Sequence, residues 1–172
     1  MERLQKLISE EEIGHRVTEL AKELETEYSG KDPVFIGVLT GSFVFMADLI
    51  RKLDIPLQID FTRLSSYGTN KHSSGKIDVI QEFKLPLENR HVVIIEDIVD
   101  TGLTIQFLLN ELQSHRPASI KTCTLLDKPS KRQVDVPIDF VGFTVPDVFV
   151  VGYGIDFDEK YRYLPDIYGI ED

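Results

Sequence analysis

Short continuous apolar runs alternate along this chain with stretches in which apolar residues return every third or fourth position. The first rhythm marks strands covered on both faces of a sheet, the second amphipathic helices. Ser9-Glu10-Glu11-Glu12 reads as a capping box, with acids in the first turn where the helix dipole favours them. Ile13, Val17, Leu20 and Leu24 then recur at helical spacing, and the helix ends near Tyr28-Ser29-Gly30, with His15 on its surface. Pro33 starts a strand, Val34 to Leu39, which Thr40-Gly41-Ser42 turns into a helix with Phe43, Met46, Ala47, Leu49 and Ile50 as its apolar set. Leu57 to Leu64 alternates in part, with Leu57, Ile59 and Phe61 on one face of a half-exposed strand.

Farther along, Ile77, Val79 and Phe83 suggest the second arm of a hairpin, leading to a turn near Pro86-Leu87-Glu88-Asn89. Val92 to Ile95 is a fully apolar run, and Ile105, Leu108, Leu109 and Leu112 mark the helix that follows, closed by Ser114-His115-Arg116-Pro117. Ser119 to Leu126 predicts another strand, ending at Asp127-Lys128-Pro129-Ser130, and Phe140, Val141 and Phe143 a short one. Val148 to Val151 runs into a bend at Gly152-Tyr153-Gly154, and the tail from Tyr163 to Ile170 is expected to be ordered by its aromatics rather than by a helix.

With 172 residues and 42% hydrophobic content, the chain can bury one core, in one domain with a small appendage. No apolar run approaches a membrane span, and the N-terminus lacks the basic-then-apolar pattern of a signal peptide. The single cysteine, Cys123, excludes an intramolecular disulfide, fits a reducing cytoplasm and is expected to be a buried structural thiol. A net charge of −10 counts against a broad nucleic-acid face. It does not count against binding an anion locally, through backbone amides, a bound cation and a few placed Lys or Arg.

The strand at 92–95 ends in three carboxylates, Glu96, Asp97 and Asp100, followed by Thr101, Gly102 and Thr104 at a helix start. Three acids in five positions exceed what helix capping needs. Helix N-terminal amides and threonine hydroxyls suit a phosphate there, and the carboxylates suit ribose hydroxyls or a magnesium ion. A polar, glycine-bounded run, Ser65 to Gly75, is too rich in small residues to pack well and reads as a mobile lid that keeps water from a reaction.

The segment Glu96-Asp97-Ile98-Val99-Asp100-Thr101-Gly102-Leu103-Thr104 resembles the phosphoribosyl-pyrophosphate (PRPP) signature of the purine phosphoribosyltransferases. Leu39-Thr40-Gly41-Ser42 resembles their pyrophosphate loop, in which the peptide before the second position can be cis; many relatives carry Lys where this chain has Thr40. Ser66-Tyr67 resembles the family's catalytic flexible loop. Lys128 matches a lysine that donates to the exocyclic oxygen at C6 of a purine, and Arg132 a nearby basic position. Phe149-Val150-Val151-Gly152-Tyr153 with Asp156 is similar to the base-binding segment, and Arg162 matches an arginine that contacts pyrophosphate.

The resemblance spans roughly residues 9–170 and carries a set of expectations. The fold is α/β, of the type I phosphoribosyltransferase kind: an open, mainly parallel sheet flanked by helices, with the site across the strand carboxyl ends. Residues 1–172 would form one domain, with a hood from the N-terminal residues and 153–172 and a lid at about 65–77. The reaction would move the 5-phosphoribosyl group of PRPP to N9 of hypoxanthine or guanine. Leu39 to Ser42, Glu96 to Ile98, Asp100 to Thr104 and Arg162 would hold PRPP, with Asp100 the general base. Phe149 would stack on the base, the Val150 backbone would read its edge, and Glu96, Asp97 and Asp156 would bind Mg2+. A homo-oligomer, dimer or tetramer, in the cytoplasm is implied, with no nucleic acid and no membrane. A preference for guanine or xanthine, or a PRPP-sensing regulator of the same fold, are the alternatives.

Overall fold

The apolar run at 92–95 becomes the middle of strand β5 (His91–Val99), and Val92, Val93, Ile94 and Ile95 are wholly covered because both faces of their sheet are packed. The computed structural model describes residues 3–66 and 77–171. In chain order the other elements are β1 (Arg3–Ile8), α1 (Glu10–Tyr28), β2 (Val34–Leu39), α2 (Phe43–Ile50), β3 (Gln58–Ser66) and β4 (Ile77–Gln81). After β5 come α3 (Leu103–Ser114), β6 (Ser119–Asp127), β7 (Phe140–Thr144), β8 (Phe149–Val151) and β9 (Ile167–Glu171).

Six strands form the main sheet in the order β4-β3-β2-β5-β6-β7. All neighbours are parallel except β3 and β4, which pair antiparallel as a hairpin. On one face, Phe35, Val93, Ile95, Cys123 and Leu125 meet α1 and α2; on the other, Val34, Ile36, Val92 and Ile94 meet Ile105, Leu108 and Leu112 of α3. Each such buried aliphatic side chain contributes about 1.5–3 kcal/mol. This packing fixes the carboxyl ends of β2 and β5 side by side, with Ile36 opposite Ile94. The capping box forms as expected: the Ser9 hydroxyl accepts from the Glu12 N–H at 3.2 Å, and the Glu12 carboxylate accepts from the Ser9 N–H at 2.8 Å. Cys123 is buried, and burial pushes its thiol well above the ordinary range.

Three sequence expectations need correction. In α2, Phe43 is 43% exposed and Ala47 is exposed, while Phe45, Met46 and Leu49 face the core. The Ser42 hydroxyl donates to the Val38 carbonyl at 2.7 Å, and this sets the phase of the helix. In β3, Ile59 is 42% exposed, and the opposite face buries Asp60 and Thr62. Asp60 is satisfied there by the Lys84 and Leu85 N–H groups at 2.6 and 2.9 Å. The tail, lastly, forms no helix, as expected, but its order comes from backbone pairing rather than from its aromatics: β9 pairs antiparallel with both β1 and β8 in a second, three-stranded sheet, with Arg3 opposite Glu171 and Val150 opposite Gly169.

Ser66 ends β3 opposite Ile77. Tyr67 and the rest of the expected lid as far as 76 lie outside the described residues. Among the described residues, no helix is long and apolar enough to cross a membrane.

Candidate active site

β5 stays paired with β6 as far as Val99, opposite Asp127, and side chains tie the backbone locally at its end and in the loop that follows. The Ile98 N–H donates to Asp97 Oδ1 at 2.9 Å, the Thr101 N–H to Asp100 Oδ1 at 2.5 Å, and the Leu103 N–H to Thr101 Oγ1 at 3.3 Å. The Thr101 carbonyl accepts from the Gln133 and Val134 N–H groups, which clamps the loop from a distant segment. Gly102 is the N-cap of α3, without a side-chain cap. The first-turn amides of α3 therefore lack intrahelical partners and present positive dipole ends at the loop, a natural phosphate seat.

The three acids differ in setting. Glu96 is buried, Asp97 half-buried and Asp100 exposed. Burial, reinforced by the negative charge of Asp97, pushes the Glu96 carboxyl well above its usual range.

β2 ends beside β5, and its loop closes onto the same acids. The Leu39–Thr40 peptide is cis. Gly41 lies so close that a Cβ there would stand 1.9 Å from Asp97 Oδ2. The Ser42 hydroxyl and N–H both turn back to the Val38 carbonyl, so Ser42 shapes the loop. A cavity of about 230 Å³ opens here, lined by Leu39, Gly41, Glu96, Asp97, Ile98 and Thr104, with Val38, Leu64 and Ile77 as an apolar wall. Sequence reading missed those three, because an apolar residue in a strand carries no signal that separates a site wall from core.

Among the base-side candidates, Lys128 links the end of β5 to the approach to β8. The Lys128 N–H donates to the Val99 carbonyl at 2.9 Å, and its ammonium donates to the Val148 carbonyl at 2.6 Å. Lys128 is 7% exposed, and burial lowers its pKa against the pull of Asp100 and Asp147. Phe149 is 53% exposed, its ring edge-on to Phe157 with centroids 5.1 Å apart. Val150, next along β8, is buried. Arg132 binds the two halves together, donating to the Asp100 carbonyl at 3.0 Å while ion-paired with Asp127.

Arg162 donates to the Gly154 carbonyl at 2.8 Å and pairs with Asp156 at 3.0 Å. Asp156 also accepts from the Glu159 N–H at 2.9 Å. Its carboxylate is thus engaged by protein groups and does not join Glu96 and Asp97 in a ready-made metal cage. Among the described residues, no group of three or more His, Cys, Asp or Glu is gathered to hold a metal ion.

A parallel sheet of this order, with an acidic strand end feeding a helix start and a small antiparallel sheet beside it, has the type I phosphoribosyltransferase fold. Residues 6–158 match the phosphoribosyl transferase domain, and the chain belongs to that family. It is 52% identical over 159 residues to the hypoxanthine-guanine phosphoribosyltransferase of Bacillus subtilis (strain 168), covering 92% of this chain and 88% of that protein. It is 45% identical to the enzyme of the same name from Aquifex aeolicus (strain VF5), covering 99% and 96%. A crystal structure of a hypoxanthine-guanine phosphoribosyltransferase from Bacillus anthracis superposes with a TM-score of 0.92 at 46% identity, covering 97% of this chain and 98% of that one. The chain is accordingly a phosphoribosyltransferase enzyme rather than a regulator borrowing the fold.

Proposed function

We propose that this protein moves the 5-phosphoribosyl group of PRPP to N9 of hypoxanthine, and of guanine beside it, releasing pyrophosphate. The observation that carries the reading is the position of Lys128. Its backbone is bonded to Val99, the neighbour of Asp100, and its ammonium to Val148, the neighbour of Phe149, which supports reading it as the base donor that links the two. An ammonium has three donors and Val148 takes one, which leaves capacity for an oxygen at purine C6. Adenine presents a donor at that position and is disfavoured.

Each step follows from the groups in place. The 5′-phosphate rests on the amides and hydroxyls of Asp100 to Thr104, and the ribose hydroxyls on Glu96 and Asp97. As the C1–O bond opens, cationic character builds on the sugar, as at a glycosidic centre. Arg162 meets the charge on the departing pyrophosphate, held toward it by Asp156 and the Gly154 carbonyl. Asp100 takes a proton at N7 or N9 of the purine, and Lys128 stabilises charge growing on O6.

The donor set fits one magnesium ion. Glu96 and Asp97 line one cavity with Gly41, whose missing side chain lets the Asp97 carboxylate lie against the loop, and Mg2+ is ordinarily held by one or two carboxylates together with substrate phosphates. When bound, it supplies charge neutralisation to the pyrophosphate. A homo-oligomeric state and a cytoplasmic location belong to the same proposal.

Initial rates with PRPP and hypoxanthine, guanine, xanthine or adenine test the reading. Turnover of the first two and not of adenine is expected; adenine as the preferred base would overturn it. Asp100→Asn should lower kcat about 10²-fold, near the low end for general acid–base groups, while PRPP still binds. Near-native turnover in that variant would remove Asp100 from its role.

A further inference from the structure

We propose that the Tyr153 hydroxyl and the Asp48 carboxylate form a positioning pair that sets the pyrophosphate loop against the base-binding strand. The proposal rests on the transfer reaction described above and adds two residues outside its list of contacts.

Tyr153 sits in the bend between β8 and Arg162, buried, with φ of 49°. Its hydroxyl donates to Asp48 Oδ2 on α2 at 2.5 Å. The other Asp48 oxygen pairs with Arg51 at 2.6 Å. Burial, together with the bond to Asp48, holds the phenol protonated far above its ordinary range. α2 is the helix that the pyrophosphate loop opens, so Asp48 moves with Thr40, Gly41 and Ser42.

The bend is bonded on its other side to the groups that meet substrate. The Tyr153 N–H donates to the Leu164 carbonyl at 2.8 Å, the Gly154 N–H to the Arg162 carbonyl at 3.0 Å, and Arg162 returns a bond to the Gly154 carbonyl. Gly154 itself abuts the loop: a Cβ there would stand 2.7 Å from the Gly41 carbonyl. One bend thus touches Arg162, the Gly41 backbone and, through a single phenol, the helix behind Gly41.

Two features assign the pair to alignment rather than to stability. Cavities of about 350 and 460 Å³ flank it, both lined by Glu10, Asp48 and Tyr153. Removing the hydroxyl therefore lets solvent reach Asp48 instead of stranding a buried charge, and the usual heavy penalty for an unpaired carboxylate is avoided. β8 is separately fixed by its ladder to β9, with Val150 opposite Gly169, so the base platform stays in place when the pair is lost. The loop at Thr40 to Ser42 is what gains freedom.

Tyr153→Phe and Asp48→Ala test this, by steady-state kinetics in both substrates and by calorimetric titration with PRPP. A hydrogen bond to a charged group is worth roughly 10-fold or more in a binding constant, so each variant should raise KM and Kd for PRPP about 5- to 10-fold. KM for hypoxanthine should stay within about twofold, and the double variant should be no worse than either single change, as coupled partners require. Asp48→Asn keeps an acceptor oxygen and should recover most of the loss. An unmoved PRPP constant, or an equal rise for both substrates, would overturn the pairing. Inactivity of the unmodified protein with every purine would instead overturn the transfer reading on which it rests.

Discussion

The two sheets of this molecule solve different recognition problems. At the carboxyl edge of the six-stranded sheet, the phosphate side is built from neighbours in sequence, Glu96 to Thr104, in which the side chains of Glu96, Asp97, Asp100 and Thr101 each accept from a backbone N–H one or two residues on. In the three-stranded sheet, β8 reaches its platform residue Phe149 through partners from the opposite ends of the chain. Phosphate is recognised by amides and dipoles that any well-made loop can supply. A flat base needs particular side chains on a firm support, and that support is assembled over long range. Handling of the sugar phosphate and affinity for the base should therefore be separable by mutation.

The sharpest way to break that separation is Gly41→Ala. The new methyl would occupy the space of Asp97 Oδ2, 1.9 Å away, and the carboxylate is the part able to yield. The fold survives, but Asp97 leaves the place where it would meet the ribose. Loss of a hydrogen bond to a charged group predicts KM for PRPP raised about 10- to 100-fold, with KM for hypoxanthine nearly constant. A variant that loses both affinities together would show that the two halves are one unit.

Local patterns carried most of the phosphate half. The capping box, the buried run of β5 and the acids beyond it could be read because each signal lies within one element. What escaped reading was decided elsewhere. β1, Arg3-Leu4-Gln5-Lys6-Leu7-Ile8, has no clean alternation, and its partner β9 lies at the other end of the chain. α2 is apolar on nearly every side, so its sequence has no polar face to fix which residues turn inward; the Ser42–Val38 bond does that. Asp60 looked like the solvent side of β3 because the amides that satisfy it belong to a loop beyond β4. Asp156 and Arg162 were each singled out as binders, but that they bind each other is a fact of three dimensions.

A smaller effect should come from the base side. Phe149→Ala removes a platform already half-exposed, so nothing collapses behind it, and its partner Phe157 keeps its place. Base–aromatic stacking is worth about 1–3 kcal/mol, and the low end fits a ring open on one side. KM for hypoxanthine should rise roughly 10-fold, while titration with PRPP gives an unaltered Kd. A comparable loss of PRPP affinity would mean that the small sheet also shapes the phosphate loop.

The smallest effect isolates how the small sheet is fastened. Asp166 accepts from the Glu10 N–H at 2.7 Å and the Tyr168 hydroxyl at 2.9 Å, and pairs with Lys6 at 2.7 Å, joining β1, the start of α1 and the approach to β9. The bond from Lys6, then that from Glu10, hold its carboxyl below the ordinary value of 3.8. A carboxylate favoured by folding stabilises the protein above its unfolded pKa, and that contribution fades as pH falls below 3.8 toward the folded value. Asp166→Asn should therefore melt slightly earlier than the unmodified protein at pH 7, with the two melting curves converging under acid. Because the phosphate side has its own bonds, PRPP affinity should not move in the variant at either pH where the protein is folded. A melting difference that stays constant through the acid range would mean that Asp166 acts by shape and not by charge, and the small sheet would then be held by packing alone.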